Sequence, residues 1–92
     1  MDSSSQFSKQ LAGTESYINK EKWEEAKSSL KSTEKTWQKI KPLLQIDIDH
    51  DYVNDIEDNF VKLKAYLKER DKSNSSATIM LIQRLWQQID QM

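Results

Sequence analysis

The stretch that decides the fold is WEEAKSSLKSTEKTWQKIKPLL, residues 23–44. Its apolar and small residues recur at alternating steps of three and four, at Trp23, Ala26, Leu30, Thr33, Trp37, Ile40 and Leu44. A seven-residue repeat of this kind places one stripe along a helix, which then packs against neighbouring helices at a shallow angle. Asn19 is a candidate N-cap for this helix, and Pro42 should end or kink it. The stretch therefore predicts a long amphipathic helix at the centre of an all-α fold.

A similar stripe precedes this helix, with apolar positions at Phe7, Leu11, Thr14 and Ile18. It predicts a helix from about Gln6 to Asn19. The connection around Asn19 and Lys20 is so short that the two helices must form an antiparallel hairpin.

Two further helices are predicted downstream. Asp49 or Asp51 caps the third, which ends near Arg70 and carries the stripe Val53, Ile56, Phe60, Leu63 and Leu67. The fourth begins at a cap provided by Asp71, Ser73 or Asn74. Its inward positions are expected to be Thr78, Leu81 or Ile82, Leu85 and Ile89.

Composition supports an all-α chain of one domain. One Gly and one Pro among 92 residues leave few of the residues that form hairpin turns between strands. We expect a disordered tail over residues 1–5 and a single domain over residues 6–92. The predicted architecture is an antiparallel up-down four-helix bundle built from two helical hairpins, with no internal sequence repeat beyond the rhythm of the hairpins.

The same composition argues against several functions. A net charge of -1 removes the general electrostatic case for nucleic-acid binding. The absence of Cys excludes disulfides and thiolate metal sites. The chain has a single His, and no Ser lies in a Gly-flanked elbow. We therefore expect no enzyme activity and no cofactor.

An acidic cluster offers a weak candidate for a metal site. Asp47, Asp49, Asp51 and Asp58 fall on positions 1, 3, 5 and 12 of a calcium-binding loop. Position 6, where such a loop needs Gly, is Tyr52. The interpretation that we prefer is that Asp49, Asp51 and Asp55 cap the third helix and favour its dipole.

The last helix carries more apolar residues than one narrow stripe needs, and this excess indicates a contact surface. Partner-binding candidates are Ile79, Ile82 and Trp86, with Met80 beside them; a protein partner or a second copy of the chain could dock there. The alternative is that a wider face of the helix is buried in the bundle.

Basic residues concentrate in one segment. Residues 20–41 carry seven Lys and four Glu. Such a helix could contact anionic polymers or lipid headgroups. Because Lys27, Lys31 and Lys35 are interspersed with acids, we interpret them as an ordinary solvated face.

A set of short motifs resembles the bacterial family described as domain of unknown function 4363, typical of Firmicutes. The resemblance covers about residues 6–91 and rests on Trp23-Glu24-Glu25-Ala26-Lys27, Leu30, Trp37-Gln38-Lys39-Ile40, Asp49-His50, Ile56-Glu57, Leu63-Lys64-Ala65-Tyr66-Leu67 and Asp71. It implies a small helical protein without an assigned activity. It also implies an opening apolar segment that anchors or exports the protein, whereas this sequence opens with Met1-Asp2-Ser3.

The resemblance also implies a location, on the extracytoplasmic side of the bacterial cell envelope; the alternative is the cytoplasm. We expect a non-catalytic interaction or structural module, the soluble part of an envelope-associated protein. Any membrane contact would then require an anchor that this sequence lacks. The alternative function is a module that binds a cation or a cell-wall polymer through the Asp47–Asp58 cluster.

Overall fold

The computed structural model describes residues 3–44 and 50–90, and side chains over 4–44 and 51–89. Within these ranges the chain forms four helices and no strand: α1 (Ser3–Asn19), α2 (Trp23–Leu44), α3 (His50–Lys68) and α4 (Lys72–Asp90). The expected disordered tail is wrong for residues 3–5, because α1 begins at Ser3.

The helices form the expected bundle. Helix α1 packs on α2, and α3 packs on α4; the two hairpins then meet through α1 with α4 and α2 with α3. The buried apolar side chains of all four helices join in one cluster, which includes Phe7, Leu30, Trp37, Ile56, Phe60, Ile79, Ile82 and Trp86. The prediction of an all-α four-helix bundle made of two hairpins is therefore confirmed.

The first hairpin turns through a Schellman motif. The Lys22 N–H donates to the Tyr17 carbonyl at 2.9 Å, and the Glu21 N–H donates to the Ile18 carbonyl at 3.0 Å. Glu21 has a φ of 57°, the left-handed conformation that this motif requires. The Lys22 carbonyl then accepts the Ala26 N–H at 2.9 Å and begins α2. Asn19 is the last residue of α1, so its prediction as the cap of α2 is wrong.

The second hairpin turns in the same way. The Asp71 N–H donates to the Tyr66 carbonyl at 3.0 Å, and Arg70 has a φ of 54°. The Asp71 carboxylate caps α4 by accepting the Asn74 N–H at 3.0 Å and the Asn74 side-chain amide at 2.7 Å. These two hydrogen bonds hold the pKa of Asp71 below its ordinary value. Of the three caps considered for α4, the structure selects Asp71.

Adding 49 to a residue number in the first hairpin gives the corresponding residue of the second hairpin. The buried Trp37, for example, corresponds to the buried Trp86. The same shift relates the left-handed Glu21 to Arg70 and the capping Lys22 to Asp71. It also relates buried positions in pairs, namely Phe7 and Ile56, Leu11 and Phe60, Thr14 and Leu63, Ile18 and Leu67, Leu30 and Ile79, Thr33 and Ile82, and Ile40 and Ile89. The fold is thus an approximate duplication of one helical hairpin. The two hairpins share too few identical residues for their sequences to reveal the duplication.

Candidate functional site

The contact residues predicted on α4 are buried. Ile79 and Ile82 are 0% exposed and Trp86 is 3% exposed. The reason is that α4 packs against both α3 and α1, so a wide face of the helix enters the core. The expectation that these three side chains form an exposed contact surface is wrong, and the alternative of a wider buried face is correct.

Trp86 belongs to an aromatic cluster at the centre of the bundle. Its ring centroid lies 4.9 Å from that of Phe7 and 6.5 Å from that of Trp37, in both cases edge-on. Phe60 stands 6.3 Å from Phe7 and 6.3 Å from Trp37. Edge-to-face contacts of this kind stabilise a core beyond the area that they bury. The cluster joins all four helices and is a structural element.

The apolar side chains that α4 does expose are Met80 and Leu81. They are 55% and 45% exposed. They line a shallow depression of about 630 Å³ together with Glu15 of α1 and Arg84. The other large hydrophobic side chains exposed in the described ranges are Tyr17, Leu43 and Val61, which have no such neighbour in sequence. Met80 and Leu81 therefore form the one adjacent pair of exposed large hydrophobics in that part of the chain.

The sequence left Leu81 and Ile82 as alternatives for one inward position of α4, and the structure selects Ile82. A signal was present, because Ala77, Leu81 and Arg84 step by four and three and define a second face beside the buried one. Once Trp86 is placed in the core, Ile82 and Ile79 lie four and seven residues before it, on the same face of the helix. Leu81 then points outward. We call Met80, Leu81, Glu15 and Arg84 the α4 face.

A polar cluster closes the seam between α2 and α3. The Trp37 indole N–H donates to Glu57 Oε2 at 2.9 Å, and Lys41 Nζ donates to Glu57 Oε1 at 3.2 Å and lies 2.9 Å from Oε2. Burial raises the pKa of Glu57, but these hydrogen bonds and the Lys41 charge outweigh it and hold the pKa below its ordinary value. Glu57 is thus held ionised by its partners. Such a carboxylate suits a structural contact better than proton transfer.

The acidic candidates are only partly within the described residues. Asp47 and Asp49 lie outside them. Asp51 is exposed in the first turn of α3, and Asp58 is exposed further along the same helix. No group of three or more His, Cys, Asp or Glu side chains in the described ranges could hold a metal ion. Cation binding by the Asp47–Asp58 cluster stays a prediction of the sequence.

None of the four helices, over the residues described, is sufficiently long and apolar to cross a bilayer.

Comparison with known proteins gives a family match. The sequence model of the family described as Domain of unknown function (DUF4363) matches residues 1–92. No curated protein and no solved structure matches the chain. Because the match spans the whole chain, the resemblance drawn from the two tryptophans and the hairpin motifs is confirmed, and this protein belongs to the DUF4363 family.

Proposed function

We propose that this protein is a non-catalytic interaction module, the soluble part of an envelope-associated bacterial protein, that binds an amphipathic helix of a partner protein on its α4 face. The observation that carries the proposal is the exposure of Met80 and Leu81, which are adjacent in sequence and line the same depression on α4. At the corresponding positions of the first hairpin, α2 carries Lys31 and Ser32. The structural repeat thus does not require apolar side chains at these places, and binding accounts for them.

The size of the α4 face favours a partner helix over a stable dimer of this chain. A stable interface buries about 800 Å² on each partner, whereas two half-exposed side chains supply a small part of that area. Two apolar anchors beside a shallow depression suit the apolar stripe of a single helix. Glu15 and Arg84, which also line the depression, can pair with charges of both signs beside that stripe.

The buried hydroxyl groups of Thr14 and Thr33 support a non-catalytic role, because their hydrogen bonds serve helix packing. Thr14 donates to the Gln10 carbonyl at 2.9 Å, and Thr33 donates to the Ser29 carbonyl at 2.7 Å. The Thr14 and Ser29 hydroxyls lie 2.6 Å apart across α1 and α2. A hydroxyl engaged with its own helix and its neighbour is not poised as a nucleophile.

Photo-crosslinking in the source bacterium tests the binding site. A photoreactive phenylalanine replaces Met80 in the full chain, and the matched control carries it at Lys31, the corresponding position of α2. We expect one adduct of defined mass from position 80, which is absent from position 31 and is lost when Leu81→Lys is added. An unchanged thermal melt of Leu81→Lys separates loss of binding from loss of fold. An adduct of twice the chain mass would show that the α4 face binds a second copy of this chain instead of a partner helix. Equal yields of adduct at positions 80 and 31 would overturn the site.

Cell fractionation tests the location. The native protein is followed with an antibody through membrane, wall and cytosolic fractions, and its intact mass is measured. We expect it in the envelope fractions. Recovery in the cytosolic fraction alone would overturn envelope association and direct the search to cytosolic partners.

A further inference from the structure

Helices α2 and α3 leave a groove of about 420 Å³ between them at the hairpin-turn end of the bundle. Its floor is apolar and consists of Leu30 and Leu67, which are both buried. Its rim carries four lysines and one glutamate, namely Lys27, Lys31, Lys64, Lys68 and Glu34. The volume lies within the range of small-molecule sites, about 300–1,000 Å³.

The rim lysines differ in what they already bind. Lys27 Nζ lies 3.3 Å from a Glu24 carboxylate oxygen, and Lys64 Nζ lies 2.8 Å from one of Glu34. Lys31 and Lys68 form no ion pair within the described residues. These two lysines, one on each wall, are therefore available to an anion.

The structural repeat provides a comparison within the molecule. Under the shift of 49 residues, the seam between α1 and α4 has Met80 in place of Lys31, Asn19 in place of Lys68 and Glu15 in place of Lys64. The duplicated fold therefore does not require the lysines. Their concentration on one of two corresponding seams indicates a ligand with negative charge.

We propose that the α2–α3 groove binds an anionic single-chain amphiphile. The alkyl chain lies along the methylene groups of the rim lysines, above Leu30 and Leu67, and the phosphate or carboxylate headgroup lies between Lys31 and Lys68. Contact with these methylene groups supplies the free energy of burying the chain, and the two ammonium groups select the charge of the headgroup. This site is separate from the α4 face and does not depend on the partner helix proposed there.

The test is a titration of the full ¹⁵N-labelled chain with octyl phosphate. The octyl phosphate concentration stays below the critical micelle concentration, and binding is measured by the changes in amide chemical shifts. We expect saturable shifts at Leu30, Lys31, Leu67 and Lys68. Octyl glucoside, which has the chain without the charge, and inorganic phosphate, which has the charge without the chain, should each bind about tenfold more weakly or worse.

Two charge-reversal pairs complete the test. Lys31→Glu with Lys68→Glu should weaken octyl phosphate binding about tenfold or more. Lys35→Glu with Lys62→Glu changes the net charge equally on the same two helices, at exposed lysines outside the groove, and should leave binding within about twofold. Thermal melts of both pairs confirm that each variant is folded.

Three results would overturn the proposal. Equal weakening by both pairs would mean that only net charge matters. Shifts confined to Met80 and Leu81 would place the amphiphile on the α4 face. Binding of an acidic peptide such as oligoglutamate more tightly than octyl phosphate would assign the groove to an acidic protein segment.

Discussion

Trp37 and Trp86 occupy corresponding positions in the two hairpins, and their rings meet edge-on at the centre of the bundle, 6.5 Å apart with an interplanar angle of 86°. Each indole N–H donates across the seam to the other hairpin, Trp37 to Glu57 and Trp86 to Ser8, both at 2.9 Å. Glu57 and Ser8 are themselves related by the shift of 49 residues. The two tryptophans thus hold the hairpins together by a repeated contact whose acceptor is charged in one case and neutral in the other.

This difference predicts unequal effects of the same substitution. Trp37→Phe and Trp86→Phe remove the same atoms from the core, so both lower the free energy of unfolding. Trp37→Phe should lower it by about 1 kcal/mol more, because a hydrogen bond to a carboxylate is stronger than one to a hydroxyl. In addition, Ser8 is exposed and can bind water instead, whereas Glu57 is partly buried. Urea denaturation at neutral pH, followed by circular dichroism, measures the difference, and equal losses would contradict it.

The lowered pKa of Glu57 predicts how this seam responds to acid. A carboxyl group whose pKa is lower in the folded than in the unfolded protein stabilises the fold above its unfolded pKa, about 4.3 for Glu. The contribution is lost as the pH falls through the folded pKa. Glu57→Gln keeps an acceptor for Trp37 but loses the attraction of Lys41. It should therefore be less stable than the natural protein at pH 7 and approach it in stability at acidic pH.

Urea denaturation of the natural protein and of Glu57→Gln, from pH 7 to acidic pH, measures this difference in stability. Glu24→Gln is the matched control, because Glu24 forms an exposed ion pair with Lys27 within α2 and such pairs contribute little. A stability difference for Glu57→Gln that stays constant from neutral to acidic pH would show that the carboxylate charge does not stabilise the seam.

Much of the fold could be predicted because periodicity reports burial directly. The stripe through Leu30 and Trp37 identified α2 and its inward face, and the short connection at Asn19 and Lys20 required a hairpin. The hairpin turns could not be placed as well. Their usual signal is Gly in the left-handed position, and here Glu21 and Arg70 occupy it. Without that signal, Asn19 was the residue that best resembled a cap.

The surfaces were harder to predict than the core. On α4, apolar residues occupy both the buried face and part of the exposed one, so their spacing separates Ile82 from Leu81 only after Trp86 has been placed in the core. The α2–α3 groove depends on which helices are neighbours. Lys27 and Lys31 on α2, and Lys64 and Lys68 on α3, each have the spacing of one helix face, but only the packing brings the two pairs together.

The left-handed residues predict a stabilising substitution. A non-glycine residue in this conformation is strained, because its Cβ approaches the following carbonyl oxygen. Arg70→Gly should raise the free energy of unfolding by about 0.5–1 kcal/mol. This is the strain relieved in the folded protein, reduced by the greater conformational entropy of Gly in the unfolded chain. Lys62→Gly, in the interior of α3, is the control and should lower it by about 1 kcal/mol. Chemical denaturation measures both changes, and a loss of stability for Arg70→Gly would mean that the Arg70 side chain contributes more than the strain costs.

Gly13 predicts a second stabilising substitution, for a different reason. It lies inside α1, where Gly is about 1 kcal/mol less favourable than Ala. A Cβ added at this position would have Ser29 Oγ as its nearest neighbour, at 4.0 Å, which is an ordinary van der Waals contact. Gly13→Ala should therefore raise the free energy of unfolding by about 0.5–1 kcal/mol. The corresponding residue of the second hairpin is Lys62, so this place in the fold accepts a side chain.

The neighbouring Ala12 supplies the matched control for this prediction. It is exposed on the same helix, and Ala12→Gly should lower the free energy of unfolding by about the amount that Gly13→Ala raises it. Thermal and urea denaturation of both variants measure the pair. If Gly13→Ala were destabilising while Ala12→Gly behaved as expected, helix propensity would be acting normally in α1. The loss would then be due to contact between the new methyl group and Ser29, whose hydroxyl lies 2.6 Å from that of Thr14. It would mean that α1 and α2 lie closer together at Gly13 than the 4.0 Å distance to Ser29 Oγ indicates.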